Sequence, residues 1–194
     1  MDWSIFHAVN RLAQRTSWAH GFFKAYANYG IVVFPMLLTY CGIVALRRGD
    51  ATILTRSAWA AAGACVALAV NQPIADWIGS ARPFAAHPHI LTLVDRSTDP
   101  GFMSDHSIVA GGVAVGLCFV LRRVGFMALA LAVLMAFTRV YVGAHFPSDV
   151  LGGFVFAGAI VIVGLPIIDR FVKPISAKLL ATPVAQRFAT APQP

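Results

Sequence analysis

The chain has 194 residues, 58% hydrophobic and only 12% charged, with a mean hydropathy of +0.73. Soluble domains carry roughly a quarter charged residues, so this composition excludes an ordinary soluble enzyme and points to a bilayer. The formal charge of +7 then reads as positive-inside bias and attraction to anionic membrane lipids, and no nucleic-acid partner is expected.

Residues 3–14 place Ile5, Phe6, Val9, Leu12 and Ala13 at helical spacing, with Ser4, His7, Asn10, Arg11 and Gln14 between them. This pattern predicts an amphipathic helix lying in the membrane interface. Asp2, Arg11 and Arg15 interrupt the first 20 residues, which do not read as a secretory signal, so the membrane address is expected in the spans. A span takes about 20 mostly apolar residues. The first is predicted from Phe22 to Leu46 and stops at Arg47, Arg48, Gly49 and Asp50; the second runs from Ile53 to Ile78. A loop with Pro83, Pro88 and Pro100 covers 79–103. The third span runs from Ser104 to Leu121 and the fourth from Val124 to Val142; a turn over 143–148 leads into the fifth, Asp149 to Ile168. The basic residues that follow predict a short amphipathic helix fraying into disorder. The expected fold is therefore an all-α integral membrane protein, a bundle of about five transmembrane helices with an N-terminal interfacial helix. Dividing Trp18–Leu46 would make six. One transmembrane domain is expected over 1–170, with a basic, partly disordered cytoplasmic tail over 171–194. Gly112 and Gly116, and Gly153 and Ala157, recur at the spacing that lets helices approach closely in lipid.

The Arg47–Arg48 and Arg122–Arg123 stops place their side in the cytoplasm, so the 79–103 loop and the 143–148 turn are expected to face outward. All eight acidic residues are Asp, so acid–base or metal chemistry has to come from Asp, His or Cys. Cys41, Cys65 and Cys118 sit in apolar runs without a C-x-x-C spacing and read as packing residues.

Ionisable groups at membrane depth are costly and mark function. Here they gather in three places, all on the side expected to face outward. Arg82 follows the second span; Ser104, Asp105 and His106 open the third; Thr138, Arg139, His145 and Asp149 bridge the fourth and fifth. Taken singly, Arg82 and Arg139 could be boundary residues that snorkel to the interface. Together the groups supply two guanidinium forks for an oxyanion, a helix start with an N-cap candidate in Ser104, and two imidazoles that can divide nucleophilic and proton-transfer work. A carboxylate beside a nucleophilic His can fix its tautomer, and Asp149 follows His145 by four residues across Pro147. Asp105 has two readings, a complement to the helix dipole or a site residue. Asp76 reads as a local partner of Arg82 or His106. Thr138 lines the site or packs between helices, Tyr141 reads as an interface anchor, Asn71 as a polar tie between helices, and His87 as a solvated loop residue or a specificity residue.

These segments resemble the signature motifs of the type 2 phosphatidic acid phosphatase superfamily. In words, those are Lys, six residues, Arg-Pro; Pro-Ser-Gly-His; and Ser-Arg, five residues, His, three residues, Asp. This chain has Arg82-Pro83 with Ala75 at the Lys position, then Met103-Ser104-Asp105-His106, then Thr138-Arg139, five residues, His145, three residues and Asp149. The likeness is closer to the bacitracin-resistance undecaprenyl pyrophosphate phosphatases. It extends over Ile5 to Asn10, the Asn71 to Phe84 stretch, Ala86-His87, Ser104 to His106 and Tyr141 to Gly152.

The resemblance implies hydrolysis of a polyprenyl pyrophosphate at the outer face of the plasma membrane, without metal or other cofactor. His145 would attack phosphorus to give a phosphohistidine, Asp149 would orient it, and His106 would protonate the leaving oxygen. Arg82, Arg139 and Ser104 would hold the phosphoryl oxygens. Rival readings are a phosphatase for another lipid phosphate, a silent lipid-phosphate binder and a transporter. A transporter would carry ionisable residues along a pathway near the midplane, whereas here they sit at one rim.

Overall fold

The computed structural model describes residues 2–189. In chain order, α1 (Asp2–Arg15) leads through a 3₁₀ turn (Ser17–Ala19) to α2 (His20–Tyr29). A second 3₁₀ turn (Gly30–Val32) joins α2 to α3 (Val33–Arg48). Then follow α4 (Ala51–Ile78), α5 (Pro83–Ala86), α6 (Asp105–Cys118), α7 (Arg122–Tyr141), α8 (Pro147–Phe171), α9 (Lys173–Leu180) and α10 (Pro183–Gln186). No strand occurs among the described residues.

Four helical stretches among the described residues are long and apolar enough to cross a bilayer: Ser17–Arg48, Ala51–Ala86, Arg122–Tyr141 and Pro147–Phe171. The 3₁₀ turn at Gly30–Val32 divides Trp18–Leu46 into α2 and α3, both within the first of these apolar stretches. The predicted third span is shorter than expected. Its helix, α6, has 14 residues, about 21 Å at 1.5 Å per residue against a hydrocarbon core of about 30 Å. The physical reason lies in its surroundings. α6 packs against α4, α7 and α8 and buries most of its length among them, and its first turn opens into a polar cavity. Backbone at membrane depth is tolerated where protein or such a cavity covers it.

The central packing depends on small residues. A Cβ placed on Gly116 would lie 2.5 Å from the Ala60 Cβ, and one on Gly112 would lie 3.1 Å from the Ala64 Cβ and 3.3 Å from the Ala157 Cβ. The backbones of α4, α6 and α8 thus meet where side chains would keep them apart, which sets the positions of the helix ends that carry the site.

At the opposite end from that cavity, Asp50 caps α4 by accepting from the amides of Thr52 and Ile53 at 2.8 and 3.1 Å. Arg56 of α4 pairs with Asp169 of α8 and donates to the Phe119 carbonyl. The Thr55 hydroxyl donates to Ser176 Oγ at 2.8 Å, which docks α9 on α4. The first part of the basic tail is therefore helical. The end of the tail expected to fray, residues 190–194 of 171–194, lies outside the described residues.

The predicted amphipathic helix is α1. Its inner face, Phe6, Asn10 and Ala13, is buried against the protein, while Ile5 and Leu12 are exposed. Asn10 makes a two-way amide clasp with Leu91, donating to its carbonyl at 2.8 Å and accepting from its amide at 3.2 Å.

Candidate active site

Three chain segments converge at one end of the bundle: the loop after α4, the start of α6, and the turn between α7 and α8. The last is the tightest. Gly143 has φ +77°, and a Cβ there would stand 2.5 Å from the Leu91 carbonyl oxygen, so only glycine fits. The turn folds back on α7, with the amides of Ala144 and His145 both donating to the Arg139 carbonyl at 3.1 and 3.3 Å. Pro147 then opens α8, where its missing N–H and fixed φ suit the first helical position. Asp149 Oδ2 accepts from the Phe146 amide at 2.9 Å, and the Asp149 carbonyl accepts from the Ser104 amide at 3.1 Å. That last bond ties the start of α6 to the start of α8.

A cavity of about 350 Å³ lies between these segments, lined by Arg82, Asp105, His106, Arg139 and His145, with Asp76 at its wall. His145 is 3% exposed. Its Nδ1 lies 2.9 Å from the Gly101 carbonyl oxygen and its Nε2 3.2 Å from Arg82 Nη1. A carbonyl oxygen only accepts, so Nδ1 carries the proton and Nε2 presents its lone pair toward Arg82 and the cavity. Burial pushes the His145 pKa below the usual histidine value; the Arg139 and Arg82 charges lower it further, and Asp149 pulls the other way. The imidazole is therefore neutral and unprotonated at Nε2 near pH 7.

Several buried polar atoms have no partner among the described residues, including Arg139 Nε, Ser104 Oγ, Ser107 Oγ and Thr138 Oγ1. Buried groups of this kind are costly unless something satisfies them. Arg139 borders the cavity, and an oxyanion there could take its donors.

The sequence expectations meet this geometry unevenly. Arg82, His106, Arg139 and His145 come together as expected, and Asp105 and Asp76 share their cavity. Arg82 bonds the Asp99 carbonyl at 2.9 Å and His145, not Asp76. Asp149 Oδ2 stands 3.7 Å from His145 Nδ1, so the ring is held by the Gly101 carbonyl and the carboxylate contributes charge at slightly longer range. Ser104 is the N-cap of α6 by backbone conformation, but its hydroxyl makes no capping bond and is fully buried. Thr138 is buried in α7 and does not line the cavity. Tyr141 is not an interface anchor: it is 1% exposed, and its hydroxyl lies 2.6 Å from Thr16 Oγ1. His87 is not simply solvated, since its ring stacks on Trp3 at a centroid distance of 3.7 Å. Asn71 is the polar tie expected of it, bonding the backbone of Met103 and the carboxylate of Asp105. Sequence reasoning missed Gly101, because a backbone carbonyl leaves no side-chain signal.

Residues 56–173 match the family model for the PAP2 superfamily. The chain is 28% identical to the Undecaprenyl-diphosphatase BcrC of Bacillus subtilis (strain 168), over 97% of this chain and 100% of that protein. It is 38% identical to the Lipid A 1-phosphatase of Rhizobium etli, over 42% of this chain and 37% of that one. In fold it is similar to the first transmembrane PAP2 type phosphatidylglycerolphosphate phosphatase from Bacillus subtilis, whose crystal structure superposes with a TM-score of 0.64 at 23% identity, covering 87% of this chain and 86% of that one. With two arginines and two histidines around one cavity at the end of a membrane-spanning bundle, the chain belongs to the PAP2 superfamily and is a multi-pass membrane lipid phosphatase.

Proposed function

We propose that this protein is an undecaprenyl-diphosphatase, converting undecaprenyl pyrophosphate to undecaprenyl phosphate and phosphate. The observation that carries the chemistry is the His145 ring, with Nδ1 anchored on the Gly101 carbonyl at 2.9 Å and Nε2 turned to the cavity beside Arg82. The full-length similarity to BcrC supports the choice of lipid.

Nε2 attacks the terminal phosphorus. The N–P bond forms, the bond from phosphorus to the bridging oxygen breaks, and undecaprenyl phosphate leaves with that oxygen, protonated by His106. Water then attacks the phosphohistidine. His106 takes the proton, the N–P bond breaks, and phosphate is released. Arg82 and Arg139 hold the phosphoryl oxygens and stabilise charge that grows in the transition state. Asp149 favours the imidazolium character that develops on His145 as it bonds to phosphorus. Ser104 Oγ, buried without a partner among the described residues, is the further donor proposed for a phosphoryl oxygen. Asp105 lines the same cavity and acts with the start of α6; Asp76 and Thr138 are peripheral to the reaction. The site faces the outside of the plasma membrane, where the reaction recycles the carrier of cell-wall precursors and confers bacitracin resistance.

The test is phosphate release from undecaprenyl pyrophosphate by purified protein in EDTA, beside the His145→Ala variant and a lipid A 1-phosphate arm. Turnover that persists in EDTA and vanishes in the variant is expected. Faster release from lipid A would overturn the choice of lipid and leave the phosphatase chemistry standing.

A further inference from the structure

We propose that Asn71 is a positioning residue for proton transfer: from α4, its amide clamps the start of α6 and so aims His106 at the reacting oxygen. This rests on the reading of His106 as the acid and base of the reaction.

Asn71 is 1% exposed within an apolar span. A buried primary amide has two donors and an acceptor to satisfy, and Asn71 directs all its bonds to one short stretch. Its Nδ2 donates to the Met103 carbonyl at 3.1 Å and to Asp105 Oδ1 at 3.0 Å, and its Oδ1 accepts from the Met103 amide at 3.4 Å. Gln72 adds a weaker bond to the same Asp105 oxygen at 3.4 Å.

That stretch has few restraints of its own. The Ser104 side chain makes no capping bond to the first turn, and Met103 lacks the ring that would fix its φ. Helix packing places the start of α6, and two polar ties then hold its first turn in that place, Asn71 on one flank and the bond from the Ser104 amide to the Asp149 carbonyl on the other. His106 is in that first turn and reaches the cavity from it. Without the Asn71 bonds the turn keeps its tie to Asp149 but loses its hold on the α4 side, and a displacement of about 1 Å at a reacting group costs on the order of 10²-fold in rate.

The two half-reactions feel such a loss differently. The leaving group of a diphosphate is itself a weakly basic phosphate, so its departure needs little proton donation. Hydrolysis of the phosphohistidine needs His106 to take the proton of the attacking water while its oxygen bonds to phosphorus and the N–P bond breaks. Misplacing His106 should slow the second step more than the first and leave phosphate on His145.

The experiment uses the full chain and undecaprenyl pyrophosphate carrying ³²P in its terminal phosphate, with turnover and protein-bound label measured after an alkaline quench. Asn71→Ala is expected to turn over about 10²-fold more slowly while retaining more label per enzyme than the native protein, as His106→Ala does. Asn71→Asp keeps an acceptor for the Met103 amide and loses the donor; it should behave the same way, and it serves if Asn71→Ala does not fold. Native turnover in both Asn71 variants, or label falling in step with turnover, overturns the positioning role and leaves the proposed chemistry intact. Absence of label on His106→Ala defeats the acid–base assignment and this inference with it. Label surviving on His145→Ala defeats the nucleophile.

Discussion

Arg82 Nη1 lies 3.2 Å from Nε2 of His145, so the guanidinium occupies the approach to the atom that would attack phosphorus. A phosphoryl group entering between them would exchange one donor–acceptor contact for a fork on its oxygens and a nucleophile on its phosphorus. The pair is thus arranged for an oxyanion before one arrives, which limits reorganisation during the reaction.

Replacing either partner should be costly in different ways. His145→Ala removes the only group proposed to bond to phosphorus and is expected to lower turnover by at least about 10³-fold. Arg82→Lys keeps the charge but loses the planar fork, and about 10²-fold is expected. Steady-state phosphate release on both variants checks this. Equal activity in Arg82→Lys and the native protein would show that the fork is not used.

The pH profile should follow the environment of His145. Burial and the two arginines lower its pKa from the usual 6.5, and the reactive form is the unprotonated one. The acid limb of kcat/KM attributable to His145 should accordingly fall below that value. The Asp149 carboxylate favours the imidazolium, so Asp149→Asn should move this limb to still lower pH while reducing the maximum rate. Ionisation of the substrate is common to both proteins, so the difference between profiles isolates the residue. A limb displaced upward would contradict the electrostatic argument.

Close packing at the centre of the bundle predicts a stability defect remote from the chemistry. Gly116→Val would place a Cβ 2.5 Å from that of Ala60 and force α6 away from α4. Overpacking of this kind costs about 1–3 kcal/mol, read as a lower melting temperature in detergent. A melting temperature equal to the native one would mean that the helices have room to separate.

The N-terminal helix should support the nucleophile's turn from a distance. Asp2 accepts from the Ser148 amide at 2.9 Å and from its hydroxyl at 2.6 Å, and so serves as a cap for α8; Phe6 packs edge-on against Phe146 with ring centroids 5.4 Å apart. Asp2→Ala is expected to cost about 0.5–2 kcal/mol, the usual range for a lost cap. Thermal unfolding measures it, and Asp2→Asn, which keeps an acceptor oxygen, should recover most of the loss.

The sequence by itself determined the membrane class and the all-α fold, and it singled out the residue types proposed for the site. Apolar runs bounded by Arg47–Arg48 and Arg122–Arg123 are local features, and so are ionisable residues stranded at span ends, because the bilayer penalises both kinds of misplacement one segment at a time. Tertiary structure decided what local pattern could not encode. α6 can stay short because neighbouring helices bury most of its length and a polar cavity receives its first turn. Tyr141 turned inward because Thr16 offered its hydroxyl a partner. The acceptor on His145 Nδ1 is the Gly101 carbonyl, 44 residues away in sequence, and the hold on the Ser104–His106 turn comes from Asn71 and Asp149 on separate helices. Such contacts arise only when distant backbone groups, identical in every residue, are brought to within about 3 Å of a side chain, and that closeness is set by how α4, α6 and α8 pack.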